Sequence, residues 1–328
     1  MAYETNAVGL DLSHYDEVVK ADLLKGNVDF LTVKCGGSES GLYADARFAE
    51  RVQMAFDIGA LCGAYWFAGP GYWLGKQQTM AGIDNMTDDQ HPILQFIMQT
   101  LKNKLIYWLA FDVEDASLWT TSGQVTEVWV KYYVADLVER IQRQQAKGNM
   151  RPFKLGVYSR RSFIDDPAKP QTSLNNYLGV HPDLFLWTAN WVNGTGATLP
   201  MSDVHKLRPS AAHIPYSFGY SAARPQTWQF FQWSGDAGRV YRSPAVTNAA
   251  GAARGLDLDL FNGTPEQLKT WAGIGVTPPP VDPEPPLPPA DTAQLDRIEA
   301  AGKAAAEAMT KFGAAVKGIQ EKLEQHFK

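Results

Sequence analysis

Eight short apolar runs and several amphipathic segments alternate along the first 275 residues of the chain. The runs are Ala7–Leu12, Asp29–Cys35, Ala60–Phe67, Leu105–Glu114, Phe153–Tyr158, Leu184–Asn190, Thr227–Trp233 and Gly255–Phe261. Their length and nearly continuous hydrophobicity are typical of strands that are buried on both faces. Apolar residues at helical spacing predict helices at Asp45–Ile58 and Thr126–Gln145, whereas the last two connections, rich in Gly, Pro and Ser, predict none. The pattern therefore predicts an α/β fold, an incomplete TIM-like barrel of the (β/α)5(β)3 type.

A proline-rich segment ends this pattern. Residues 276–291 contain eight prolines, and such a segment is extended and semi-rigid, which is typical of a linker. We therefore expect a barrel domain over residues 1–275 and a separate segment over 292–328.

The segment 292–328 is predicted to be one helix, because small or apolar residues recur at a spacing of three and four from Leu295 to Leu323. Three interpretations stay open: docking on its own barrel, self-association into a homo-oligomer, or targeting to a wall or membrane. Six acidic and six basic residues cancel between Asp291 and Lys328, so the helix lacks the basic face expected for membrane binding.

Composition excludes several classes of protein. The net charge of −5 and the absence of a basic face argue against nucleic acid as a partner, and no apolar stretch is long enough for a membrane span. The N-terminus lacks the features of a signal peptide, so we expect synthesis in a cytoplasm. The two cysteines, Cys35 and Cys62, are predicted to be free thiols, and the six scattered histidines predict neither a metal site nor a cofactor.

Candidate chemistry lies in the phrase Phe111-Asp112-Val113-Glu114, which closes the fourth apolar run. Residues two apart in a strand point to the same side, so Asp112 and Glu114 would have Cα atoms roughly 6 to 7 Å apart. Two carboxylates at the end of a buried strand are costly to desolvate, and stability alone does not explain them. They suit an acid/base pair with separated pKa values, which is the chemistry of glycoside hydrolysis.

Three further strand ends carry polar groups. Asp11 ends the first run, Asn190 ends the sixth, and the strictly alternating phrase from Leu256 to Leu260 places Asp257 and Asp259 on one face. A lone acid at a strand end more often solvates a loop or caps a helix. In a closed barrel the first and last strands are neighbours, so these acids are expected to converge with Asp112 and Glu114 at one side of the mouth.

Seven short motifs occur in the order found in one family, and together they resemble the glycoside hydrolase family 25 lysozymes, which are N-acetylmuramidases typical of phage endolysins. The motifs are Gly9-Leu10-Asp11-Leu12-Ser13, Thr32–Gly37, Asp45-Ala46-Arg47-Phe48, Gly63–Phe67, Asp112-Val113-Glu114, Trp187-Thr188-Ala189, and Trp228-Gln229 with Asp257–Phe261. Three departures concern sugar contacts: Trp66 stands where the family usually has His, Asp259 stands where it usually has Asn, and the second-strand loop reads Lys34-Cys35-Gly36-Gly37-Ser38-Glu39 where the family usually has Lys-Ala-Thr-Glu-Gly.

The resemblance implies roles for single residues. Glu114 would be the general acid, and the reaction would retain configuration with help from the substrate's own 2-acetamido group, oriented by Asp112 or Asp257. Asp11 would hold the sugar or tune Glu114. The residues expected to contact substrate are Tyr65, Trp66, Trp187, Asn190, Gln229 and Asp259.

The implied partner is bacterial peptidoglycan, reached after release of the protein from a host cell. Two alternatives stay open. One is a chitinase-like glycosidase, although Ala110 stands where that class expects another Asp. The other is a wall-sugar-binding barrel without activity.

Overall fold

Eight of the described strands join edge to edge into a closed barrel. The computed structural model describes residues 3–18, 21–114, 120–121, 124–125, 127–160, 178, 180–191, 197–198, 207–209, 215, 228–234, 241–247, 251 and 253–274. The barrel strands are β1 (Val8–Leu12), β3 (Phe30–Gly37), β5 (Leu61–Phe67), β6 (Trp108–Asp112), β9 (Lys154–Arg160), β10 (Phe185–Ala189), β12 (Phe230–Ser234) and β15 (Leu258–Phe261). Neighbours follow this order around the barrel, and β15 closes it by pairing with both β12 and β1. All pairings are parallel except the two of β15, which are antiparallel.

Shorter strands and the helices surround this frame. The short strands are β2 (Glu17–Val18), β4 (Tyr43–Ala44), β7 (Thr120–Thr121), β8 (Gln124–Val125), β11 (Ala197–Thr198), β13 (Tyr241–Thr247) and β14 (Ala253–Gly255). The α-helices are α1 (Phe48–Ile58), α2 (Gly71–Gly75), α3 (Met80–Asp84), α4 (Pro92–Leu101), α5 (Glu127–Ala146) and α6 (Pro265–Trp271), with 3-10 turns at Ala21–Leu24 and Asp88–Gln90. None of the described helices is both long and apolar enough to span a membrane.

The period of two along each strand divides the core into two layers. One layer lies inside the barrel and contains Phe30, Trp108, Phe185 and Phe230. The other lies between the barrel and its helices and contains the alternate strand residues, such as Leu109 and Phe111 of β6. Both faces of the barrel strands are therefore buried, which explains why the runs read as continuously apolar.

Glycines on inward-facing strand positions make room for the interior aromatic rings. A Cβ at Gly63 would overlap the indole of Trp108, and one at Gly156 would overlap the ring of Phe185. The large rings consequently fill the barrel interior toward the N-terminal ends of the parallel strands. Trp271 of α6 closes that end, with its ring centroid 5.5 Å from those of Phe185 and Phe230.

The α/β barrel predicted from the sequence is confirmed, and each of the eight apolar runs overlaps one barrel strand. The predicted helices at Asp45–Ile58 and Thr126–Gln145 correspond to α1 and α5. The start of α1 is displaced to Phe48 because the Asp45 side chain accepts hydrogen bonds from the backbone N–H groups of His14 and Arg47. The antiparallel direction of β15 was not predicted. The predicted linker at 276–291 and the predicted helix at 292–328 lie outside the described residues.

Candidate active site

Four carboxyl groups converge at the C-terminal mouth of the barrel. Asp11 lies near the end of β1, Asp112 ends β6, Glu114 follows two residues later, and Asp257 precedes β15. They surround a cavity of about 250 Å³. Its lining residues are Asp11, Tyr65, Asp112, Glu114, Tyr158, Arg160, Trp187, Trp191, Gln232 and Asp257.

The direction of β15 explains how Asp257 reaches this mouth. In the parallel strands the C-terminal ends lie at the mouth, whereas β15 runs the other way, so its N-terminal end lies there. The backbone N–H of Asp11 donates to the carbonyl oxygen of Asp257 at 3.2 Å, which fixes the two acidic residues side by side. Asp257 and Asp259 are two residues apart and both occupy inward-facing positions, as the alternating sequence predicted.

Asp112 is a buried carboxyl group with an unused acceptor. Its Oδ1 is buried and meets no hydrogen-bond donor among the described residues. Burial raises the pKa of Asp112, and the charge of Glu114 raises it further. The charges of Lys34 and Arg160 act in the opposite direction on the same pKa. Asp112 and Glu114 therefore form a coupled pair in which ionising one carboxyl disfavours ionising the other.

Glu114 lies between a phenol and a guanidinium group. The Tyr158 hydroxyl oxygen is 3.4 Å from Glu114 Oε2, and Arg160 Nε is 3.8 Å from the same oxygen. Arg160 Nε also donates to the Glu114 backbone carbonyl at 3.1 Å, and the Ser159 hydroxyl donates to the Val113 carbonyl at 2.7 Å. These contacts from β9 fix the segment that carries Glu114.

Aromatic side chains form the walls of the cavity. The Trp187 ring meets Tyr65 and Tyr158 edge to face, with centroids 6.0 and 4.7 Å apart. Burial raises the pKa of both tyrosines well above the ordinary value, and nearby carboxylates raise it further, so both phenols stay protonated at neutral pH. The site can thus offer neutral phenol groups as well as carboxyl groups.

A second carboxyl pair joins Asp11 at the cavity to Asp259 one layer deeper. Asp259 is fully buried, and its Oδ1 accepts from Trp187 Nε1 at 2.7 Å. Burial raises the pKa of both Asp11 and Asp259, and the charge of Asp259 raises the pKa of Asp11 further. Ionising both of these buried, interacting carboxyl groups would cost free energy, so the state in which one of them is protonated is favoured.

The structure brings together six of the residues predicted for the site, namely Asp11, Tyr65, Asp112, Glu114, Trp187 and Asp257. Asp259 lies beneath them and does not line the cavity. Asn190 follows β10 and donates its backbone N–H to the Gln232 carbonyl at 3.1 Å, and it is not among the lining residues.

Two predicted substrate contacts need correction. Trp66 is fully buried and faces out of the barrel, where its Nε1 donates to the Tyr133 hydroxyl at 3.0 Å. Its neighbour Tyr65 faces the interior, and the period of two therefore turns Trp66 away. Gln229 precedes β12 at the opposite end of the barrel, where its Oε1 accepts from the Leu186 backbone N–H at 2.9 Å.

Four lining residues were not predicted: Tyr158, Arg160, Trp191 and Gln232. The sequence does contain signals for three of them. Tyr158 and Arg160 are two residues apart at the end of β9 and therefore lie on the same face of the strand, and Gln232 is a polar residue inside the apolar phrase Phe230–Trp233. Within the described part of the chain, no group of three or more His, Cys, Asp or Glu residues is arranged to hold a metal ion. Cys35 and Cys62 are both free and buried.

Comparison with known proteins gives matches in structure alone. No protein-family model and no curated protein matches the chain. A family GH25 lysozyme from Aspergillus fumigatus is similar over 82% of this chain and 99% of its own, with a TM-score of 0.49 and 19% identity. The catalytic domain of endolysin ply40, from bacteriophage P40 of Listeria monocytogenes, is similar over 82% and 98%, with a TM-score of 0.48 and 16% identity. A bacterial lysozyme from Streptomyces coelicolor is similar over 81% and 96%, with a TM-score of 0.47 and 18% identity.

Proposed function

We propose that the protein is a muramidase that hydrolyses the β-1,4 bond between N-acetylmuramic acid and N-acetylglucosamine in peptidoglycan. The observation that carries the proposal is the convergence of Asp11, Asp112, Glu114 and Asp257 around one cavity with aromatic walls. Carboxyl groups supply the acid and charge-stabilising chemistry of glycoside hydrolysis, and aromatic rings suit the apolar faces of sugars. The order of motifs along the chain supports the choice of substrate.

Glu114 is assigned as the general acid that protonates the leaving glycosidic oxygen. It follows β6 at the mouth, and its carboxyl group lies at the cavity between Tyr158 and Arg160. The coupling between Glu114 and Asp112 favours a state in which the pair shares one proton. A substrate group that stabilises ionised Asp112 would therefore favour the proton on Glu114.

Asp112 is assigned as the group that orients the substrate's 2-acetamido group, in preference to Asp257. Its buried Oδ1 has no donor among the described residues, so an amide N–H from the sugar would supply the missing hydrogen bond. The acetamido oxygen would then displace the leaving oxygen at the anomeric carbon, and water would displace the acetamido oxygen in a second step. Two inversions give net retention, an exception to the scheme with a carboxylate nucleophile.

The biological setting we propose is lysis of a bacterial host by a phage endolysin, which acts on the wall after release. The chitinase-like alternative is weaker, because Ala110 is buried inside the barrel two residues before Asp112, where that class expects an acid. A sugar-binding barrel without activity would need no coupled acid pair beside an open cavity.

Zymography on purified cell walls, followed by mass spectrometry of the released fragments, tests the proposal. We expect lysis and fragments that end in reducing N-acetylmuramic acid. Glu114→Gln should lower the rate at least ~100-fold, the usual contribution of a general acid, without lowering the melting temperature. Exposed Glu139 on α5 offers a matched control, and Glu139→Gln should keep the wild-type rate. Fragments that end in reducing N-acetylglucosamine, or a fully active Glu114→Gln, would contradict the assignment.

A further inference from the structure

Gln232 lies at the centre of a hydrogen-bond network that joins three parts of the mouth. Its Oε1 accepts from the Tyr158 hydroxyl at 2.8 Å and from Trp191 Nε1 at 2.6 Å. Its Nε2 donates to Asp11 Oδ2 at 2.7 Å. The side chain is 4% exposed, so all its contacts are shielded from water. One amide therefore connects β1, β9 and the segment after β10.

The orientation of this amide follows from its partners. An indole N–H is a donor only, so the atom facing Trp191 must be the amide oxygen. The amide nitrogen then faces Asp11, where a carboxylate oxygen accepts. The reversed amide would place two donors against each other at Trp191 and two acceptors against each other at Asp11.

The same logic locates the proton of Tyr158. The phenol oxygen and the amide oxygen of Gln232 are 2.8 Å apart, and only the phenol carries a proton that can lie between them. Burial keeps Tyr158 protonated by raising its pKa. The phenol oxygen therefore presents lone pairs, and no proton, toward Glu114 Oε2 at 3.4 Å.

We propose that Gln232 is a positioning residue that holds Tyr158 as an acceptor, so that the carboxyl group of Glu114 donates the hydrogen bond between them. The inference rests on the proposed function, in which Glu114 must carry a proton before the glycosidic bond breaks. Gln232 acts on Glu114 through Tyr158, and it acts on Asp11 directly.

Other charged and titratable groups act on the same carboxyl group. Arg160 favours the ionised form of Glu114 at 3.8 Å, whereas ionised Asp112 favours the protonated form. The groups that face the network from the surrounding strands and their ends are Asp11, Lys34, Tyr65, Asp112, Arg160, Asp257 and Asp259. In addition to these charges, the hydrogen bond that Tyr158 accepts favours the protonated form of Glu114.

The variant Gln232→Glu tests the network through pH. A protonated Glu has the shape and polarity of the amide: its carbonyl oxygen accepts from Tyr158 and Trp191, and its hydroxyl donates to Asp11. An ionised Glu has no proton for Asp11 and adds a negative charge beside it. The activity of Gln232→Glu should therefore approach that of the wild type at low pH and fall at least about tenfold further as that carboxyl ionises.

Tyr158→Phe tests the contact with Glu114 itself. Removing the acceptor should lower the pKa of Glu114, and the alkaline limb of kcat/KM should move to lower pH by about 0.5 to 1 unit. NMR titration of the Glu114 carboxyl carbon should show the same shift in Tyr158→Phe and in Gln232→Leu, with no need for turnover. Gln229→Glu is the matched control, because Gln229 lies at the other end of the barrel and keeps an acceptor oxygen in the variant.

Two results would overturn the inference. One is a Gln232→Glu pH profile that parallels the wild type at a lower level, which indicates a merely structural role. The other is an unchanged Glu114 titration in Tyr158→Phe and Gln232→Leu. If the wild-type protein leaves cell walls intact while the NMR shift appears, the network stands and the proposed function fails.

Discussion

At the scale of single residues, the Asp11–Asp259 pair makes the stability of the protein depend on pH. Burial raises both pKa values above the ordinary value of 3.8. The folded state therefore binds more protons than the unfolded state above this pH. Proton binding by this pair therefore stabilises the folded state fully at a pH below the pKa of the unfolded chain. This stabilisation is lost as the pH rises through the pKa values of Asp11 and Asp259 in the folded state.

The variant Asp259→Asn should lose less stability than the wild type as the pH rises. An Asn oxygen can still accept from Trp187, while the charge that raises the pKa of Asp11 is gone. We expect the melting temperature of the variant, relative to the wild type, to increase by at least about 2 °C between pH 4 and pH 8. Scanning calorimetry across this range measures the difference. Exposed Asp84→Asn is the control and should follow the wild-type curve, and a constant difference for Asp259→Asn would contradict the prediction.

Site residues could be predicted only where a sequence motif coincides with a position that faces the mouth of the barrel. Asp11, Asp112, Glu114 and Asp257 were found because polar residues at the ends of apolar runs stand out. The phrase Trp228-Gln229 resembles a family motif and so predicts Gln229 as a substrate contact, whereas Gln232, which no motif indicated, lies inside β12. Hydrogen-bond partners such as Tyr158 depend on which strands are neighbours, and this is a tertiary property.

At the scale of elements, close contact between β5 and β6 depends on the missing side chain of Gly63. The residue faces the interior, and a Cβ there would overlap the indole of Trp108, which packs on Phe30 and Phe230. Gly63→Ala should therefore destabilise the fold by about 1 to 3 kcal/mol, the usual effect of overpacking a core.

Urea denaturation of Gly63→Ala and Gly41→Ala tests this packing. A Cβ at Gly41 meets nothing within 4 Å, and the φ angle of Gly41 is not in the left-handed region. The Gly41 variant should thus match the wild type within about 0.5 kcal/mol. Equal stability of the two variants would show that Trp108 can move aside at no cost.

The strands were predictable because each is buried on both faces and bounded by polar residues. The direction of β15 was not, because an alternating phrase such as Leu256–Leu260 looks the same in a parallel or an antiparallel strand. The direction is visible only in the pairing: β15 is antiparallel to both β1 and β12, and its N-terminal end brings Asp257 to the mouth. Strand direction is thus the element-scale feature on which the site depends most.

At the scale of the whole molecule, the barrel is complete before the proline-rich segment begins. β15 closes the sheet onto β1, and Trp271 of α6 covers the interior rings at the end opposite the candidate site. Residues Met1–Val276 form one compact unit. A chain that ends at residue 276 should therefore fold on its own and unfold in a single cooperative transition, which scanning calorimetry measures.

Light scattering of the full and shortened chains separates the interpretations of residues 292–328. Self-association predicts a full chain that is larger than a monomer and a shortened chain that is monomeric. If the helix docks on its own barrel, both the full and the shortened chain should be monomers. The shortened chain should then have the lower melting temperature, because removing the helix would expose the apolar barrel surface that it covers. Targeting predicts two monomers of equal stability, with reduced lysis of intact walls and unchanged cleavage of soluble fragments by the shortened chain. A shortened chain that fails to fold would contradict the division of the protein at the linker.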